Sequence, residues 1–103
     1  MAREHELMDN MRLALSQHDA VVFRANVGTG RTIDGRYFNT GLPKGFSDLF
    51  GVLPGGRAFF IECKVKPNKP AKEQVNFIEQ MKSCGAYAGV AYSVEEALEI
   101  CGL

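Results

Sequence analysis

The stretch Phe59-Phe60-Ile61-Glu62-Cys63-Lys64-Val65 decides how this chain is read. In a β-strand, successive side chains point to opposite faces. Phe59, Ile61, Cys63 and Val65 then share one wholly apolar face. Glu62 and Lys64 share the other, about 6–7 Å apart along the strand. A carboxylate and an ammonium beside an otherwise buried strand are costly unless they are paired or used. A cross-strand salt bridge at a sheet edge accounts for them as well as a reactive site does, so this strand alone leaves both readings open.

Working back, Asp48-Leu49-Phe50-Gly51-Val52-Leu53 reads as a strand and Pro54-Gly55-Gly56 as a turn. With Ala58 to Val65 they form a hairpin, which can set Asp48 beside the Glu62 end of its partner. Two carboxylates converging there make hard oxygen ligands for Mg²⁺ or Mn²⁺. Lys64 could then orient a water or neutralise charge developing on a phosphate. An Asp followed at a distance by Glu-x-Lys is degenerate, and many unrelated chains contain it by chance.

Two more polar residues narrow the choice. Residues 4–17 read as an amphipathic helix with Leu7, Met8, Met11, Ala14 and Leu15 on one face and Leu13 off it. At about 100° per residue, Glu4 falls within roughly 20° of Met11 and Leu15, whereas Glu6 falls on the polar side. In a second helix, from about Ala71 to Cys84, Gln74 lines up with Phe77, Ile78 and Met81. Each residue opens its helix, where a polar side chain is often simply wet. Both aimed at one sheet favour one polar site.

Elsewhere, Ala20 to Arg24 reads as a first strand, Tyr87 to Tyr92 as a fourth and Val94 to Ile100 as a short last helix. Gly28 to Gly45 reads as a long loop with a strand-like excursion at Tyr37-Phe38, and a loop that long in a small domain is more often functional than idle. The order α-β-β-β-α-β-α implies an α/β fold with a mixed sheet flanked by helices, one domain spanning 1–103.

The net charge is zero, but it is unevenly spread. Residues 20–72 carry nine basic side chains against three acidic, a local +6 between flanks of −2 and −4. A concentrated positive zone suits a phosphate backbone, although a basic solvated surface has the same signature. Cys63, Cys84 and Cys101 are an odd number without CxxC spacing, better explained as reduced thiols than as disulfides or a zinc site. No apolar stretch is long enough to cross a bilayer, and Met1 to Glu6 holds no apolar signal core, so a cytoplasmic protein without membrane partners is expected.

The segments Gly41-Leu42-Pro43-Lys44-Gly45-Phe46-Ser47-Asp48-Leu49-Phe50-Gly51, Phe60-Ile61-Glu62-Cys63-Lys64, Gln74-x-x-Phe77-Ile78 and Gly85-Ala86-Tyr87-Ala88-Gly89-Val90 together resemble the VRR-NUC domain of the PD-(D/E)xK nuclease superfamily. The likeness extends to Glu4-x-x-Leu7 and to the strand ending Phe23-Arg24-Ala25-Asn26. The chain is most similar to the free-standing forms of phages and bacteria. It departs in a Pro43-to-Asp48 spacing longer than a bare Pro-Asp, and in Ala71 where Ser or Thr often precedes the helix.

The resemblance implies a restriction-endonuclease-like αβββαβ core with a short C-terminal helix. It also implies a Mg²⁺- or Mn²⁺-dependent endodeoxyribonuclease. Asp48 and Glu62 would bind metal with the backbone carbonyl of Cys63 and, through water, Glu4. Lys64 would position the attacking water, and Gln74 would hold the site or contact a phosphate. The substrates implied are branched DNAs, four-way junctions or flaps, cut to leave a 5′-phosphate and a 3′-hydroxyl. Arg24, Asn26, Arg31, Arg36, Lys44, Lys66 and Lys69 are the expected DNA contacts. A homodimer is expected, with Leu13, Tyr37 and Phe38 as surface for it. The competing readings are a non-cleaving nucleic-acid-binding module of the same fold and a structural domain in which Glu62 and Lys64 are only an ion pair.

Overall fold

A computed structural model describes residues 2–103; Met1, the first residue of the stretch read above for a signal core, lies outside them. The elements run α1 (Ala2–Gln17), β1 (Val21–Arg24), β2 (Thr29–Arg31), β3 (Tyr37–Asn39), β4 (Leu49–Val52), β5 (Ala58–Cys63), α2 (Lys72–Ser83), β6 (Tyr87–Ala91) and α3 (Val94–Ile100). Four strands form one sheet in the order β1-β4-β5-β6, with β1–β4 and β4–β5 antiparallel and β5–β6 parallel. The expected mixed α/β core is therefore present. Its hairpin turns at Gly55 and Gly56, both at positive φ, where a side chain would be strained. The parallel pair needs a crossover, which α2 supplies.

Alternation along β5 divides the core in two. Phe59, Ile61 and Cys63 are wholly buried in the layer with Met8, Met11 and Leu15 of α1 and Ala97 of α3. Leu13 is exposed, as its place off the helix's apolar stripe requires. On the opposite face, Phe60 meets Phe77 of α2 and stacks near Phe50 and Phe46. Gly51 sits where a Cβ would run into the Val21 carbonyl of β1, so a side chain there would prise the edge strand away.

The 28–45 segment differs from the long loop expected. Thr29–Arg31 and Tyr37–Asn39 pair antiparallel as a separate two-stranded sheet. The strand-like excursion expected at Tyr37-Phe38 is β3; pattern reading missed β2 and the pairing because both strands are three residues long and almost wholly exposed, so no buried face imposes an apolar alternation. The hairpin packs almost entirely on itself. Strand β5 also stops at Cys63 rather than Val65, although the Lys64 amide still donates to Ala91 O at 3.1 Å.

Candidate active site

Asp48 lies immediately before β4, in a bend that three contacts hold. Its carbonyl accepts the Ala25 amide (2.8 Å) just past β1, fixing the backbone to the edge strand. Buried Ser47 donates its hydroxyl to Leu49 O at 2.9 Å. The Cys63 amide, at the end of β5, donates to Asp48 Oδ2 at 2.9 Å. The hairpin register, Leu49 opposite Ile61, is what brings the start of β4 against the end of β5.

Glu62 is 2% exposed, the most deeply buried charged side chain among the described residues. Its Oε2 accepts from Gln74 Nε2 at 2.8 Å and lies 3.6 Å from Lys64 Nζ. The ion pair offered as one reading of the strand is present, but it joins Glu62 to Lys64 just past the end of β5 rather than running across strands. It is also not enough: Glu62 Oε1 is buried with no hydrogen-bond partner. Burial, and then the charge of Asp48, push the Glu62 carboxyl up to about 8. Asp48 is raised too, chiefly by burial, against the lowering effect of the Cys63 amide.

Gln74 is set by its own helix. Its Oε1 accepts the Ala71 amide at 2.8 Å, satisfying a donor that α2 leaves open at its start, and this turns Nε2 toward Glu62. Ala71 cannot cap with its own side chain, so Gln74 both caps the helix and braces the carboxylate. Glu4 is half-buried and Glu6 exposed, as the helical angle implied. The carboxylate of Glu4 acts on Asp48 and Cys63 through its charge, and its carbonyl lies 3.9 Å from Cys63 Sγ. The Cys63 thiol faces the other layer and is pushed up to about 12 by burial and then by the neighbouring carboxylates, so it stays protonated.

These groups suit a divalent cation. A buried carboxylate with an orphaned oxygen, beside a second, half-buried one, gains most from a shared positive charge. Among the described residues no three His, Cys, Asp or Glu side chains converge into a cage, so backbone or water oxygens would have to complete the shell.

The seven proposed DNA contacts are all exposed, but they are not gathered at one spot. Arg24 and Asn26 flank Ala25 and so adjoin Asp48. Lys44 pairs with Glu73 at 3.7 Å. Lys66 and Lys69 follow β5, with Lys66 Nζ 5.7 Å over the Tyr92 ring. There a cavity of about 420 Å³ opens between Arg3, Val65, Lys66 and Tyr92. Arg31 and Arg36 stand apart on the β2–β3 hairpin. The sequence reading overlooked Ser47, whose only signal is a hydroxyl residue directly before the acid, and Phe60, which shares the Glu62 face and floors it with Phe77.

No protein-family model matches the chain, and no curated protein matches it in sequence. A solved structure described as a VRR_NUC domain superposes on it with a TM-score of 0.67 and 21% identity, over 96% of this chain and 94% of that one. The chain has the fold of the VRR_NUC domain.

Proposed function

We propose that this protein is a metal-dependent DNA endonuclease that hydrolyses phosphodiester bonds in branched DNA, four-way junctions or flaps. The observation that carries the reading is the unpartnered, buried Oε1 of Glu62 beside Asp48, an arrangement that is costly in the protein alone. Asp48, Glu62 and the Cys63 carbonyl would hold Mg²⁺ or Mn²⁺, with Glu4 acting through water. Such an ion, when bound, polarises a phosphoryl oxygen and makes water a better nucleophile at neutral pH.

The chain's own residues do the rest. Gln74 and the Cys63 amide hold the two carboxylates in place without competing for their free oxygens. Lys64, 18% exposed and tethered to Glu62, presents its ammonium where it can orient the attacking water or meet charge growing on the phosphate. In-line attack on phosphorus breaks the bond to the 3′-oxygen, which leaves as a hydroxyl, and the incoming water becomes part of a 5′-phosphate. Arg24, Asn26, Arg31, Arg36, Lys44, Lys66 and Lys69 bind the backbone. Residues 1–103 act as one nuclease domain, in the cytoplasm. No described helix is long and apolar enough to cross a membrane. A homodimer would set two sites on one junction, with the exposed Leu13 and Tyr37 offering surface for it.

The test is a panel of labelled duplex, single strand, flap, splayed arm and four-way junction, titrated with Mg²⁺ and Mn²⁺. Cutting only with metal, and of branched substrates first, is the expected result. A gel shift without cutting at any metal concentration would make it a non-cleaving DNA-binding module. Neither metal binding nor a shift would make it a structural domain. Sedimentation with and without a junction tests the dimer.

A further inference from the structure

We propose that Ile33 is an unstacking wedge, inserted between neighbouring bases where bound DNA departs from regular duplex. The inference rests on the DNA-binding part of the function proposed above.

Ile33 sits at the tip of the β2–β3 hairpin and is 109% exposed, so its side chain touches nothing else in the molecule. Turns are dominated by Gly, Pro, Asn, Asp and Ser. The exposure does not come from a slack loop. Gly35 N donates to Thr32 O (2.9 Å), Thr32 N to Arg36 O (2.8 Å) and Arg36 N to Thr32 Oγ1 (3.1 Å). The Thr32 hydroxyl donates to Asp34, whose carboxylate also pairs with Arg36, and Arg31 Nη1 donates to Gly35 O at 3.0 Å. Gly35 takes the positive φ that closes the turn. Every polar side chain of the turn is thus engaged within it, and the apolar one alone is left pointing out.

The hairpin is built to carry such a tip. The Phe38 ring lies against Gly30, so the two strands pack on each other without support from the body. Arg31 and Arg36 flank the turn, and both are exposed. Their pairing with Asp34 and Gly35 is solvent-exposed and therefore weak against competition from phosphate. Both legs lead to Asp48: one through Ala25, whose amide bonds the Asp48 carbonyl, the other through residues 40–47. The arm is therefore rooted beside the carboxylate pair.

An apolar side chain between cations is the chemistry by which proteins part a base step while holding its phosphates, and isoleucine is among the residues used. Parting bases costs least where the stack is already broken. A wedge would thus favour a branch point without any base-specific contact, which is how one small domain can prefer branched DNA to duplex.

The test uses the full chain in EDTA, so that binding is seen without cutting, on a four-way junction and a flap with 2-aminopurine beside the branch. Fluorescence should rise several-fold as the wild-type protein saturates the DNA. Ile33→Ser should lose most of that rise while binding linear duplex as wild type does, and Ile33→Leu should keep it. Thermal melting checks that both variants fold. An equal rise with Ile33→Ser, or no rise with wild type, overturns the wedge. So does a changed sedimentation coefficient for Ile33→Ser without DNA, which would assign the tip to contact with a second copy. Cutting is scored separately with Mn²⁺. A protein that unstacks the branch but never cuts overturns only the nuclease reading, and one that cuts branched DNA with no fluorescence rise overturns only the wedge.

Discussion

Gln74 Nε2 donates to Glu62 Oε2 at 2.8 Å while Gln74 Oε1 accepts the Ala71 amide at 2.8 Å, so one side chain starts α2 and braces the buried acid. Both bonds depend on the amide having a donor at one end and an acceptor at the other. Gln74→Ala should cost about 1–3 kcal/mol of stability in urea unfolding and slow cutting as Glu62 loses its brace. Gln74→Glu keeps an acceptor for Ala71 but adds a third carboxylate at Glu62. It should be less stable than Gln74→Ala above neutral pH, and the gap should close in acid. Unchanged stability in both variants would deny Gln74 this double role.

Without metal, stability should depend on pH through Glu62. Its carboxyl is raised in the folded protein from the ordinary 4.5 to about 8. Between those values the folded state holds a proton that the unfolded chain has released. The stabilisation is thus fully present below pH 4.5 and is lost as pH rises through about 8. Asp48 is shifted in the same direction. The melting temperature in EDTA should fall across this window, and Glu62→Gln should flatten the fall. Mg²⁺ should restore stability most at the alkaline end. A wild-type melting temperature that rises with pH there would contradict the assignment.

On the proposed mechanism, in which its ammonium acts on the reacting groups, Lys64→Ala should reduce cutting by about 10²-fold or more while leaving metal and DNA binding largely intact. Asp48→Asn and Glu62→Gln should lose metal as well as activity. Calorimetric titration with Mn²⁺, run beside the cleavage assay, separates the two classes. Cutting by Lys64→Ala within a few-fold of the parent would remove Lys64 from the chemistry.

Glu4→Gln should reduce activity more than Glu6→Gln, though each removes one charge from α1. Glu4 is half-buried and acts on Asp48 through space, whereas Glu6 is exposed. Equal losses would mean that α1 contributes charge to the site only in bulk.

DNA affinity should fall steeply with salt, and removing one of Arg24, Lys66 or Lys69 should flatten the log–log slope by about one unit. A slope near zero would take the basic middle of the chain out of the interface.

Most of the sheet, and the set of residues that could be reactive, follow from local pattern alone. The alternation of Phe59, Ile61 and Cys63 against Glu62 required a strand with one apolar face, and the i, i+3, i+4 spacing of α1 required Glu4 to lie inward of Glu6. These are local rules, because backbone geometry alone sets which side chains share a face. Tertiary structure decided what local rules cannot carry. The register of β4 on β5 put Asp48 Oδ2 on the Cys63 amide, and the crossover through α2 brought Gln74 onto Glu62 while leaving Oε1 unpartnered. It also folded residues 29–39 into an exposed hairpin whose apolar side chains bury no face and so leave no periodic signal. Contacts between residues distant in sequence have no period to read, and the shifted acidity of Glu62 arises only when burial and Asp48 meet in space.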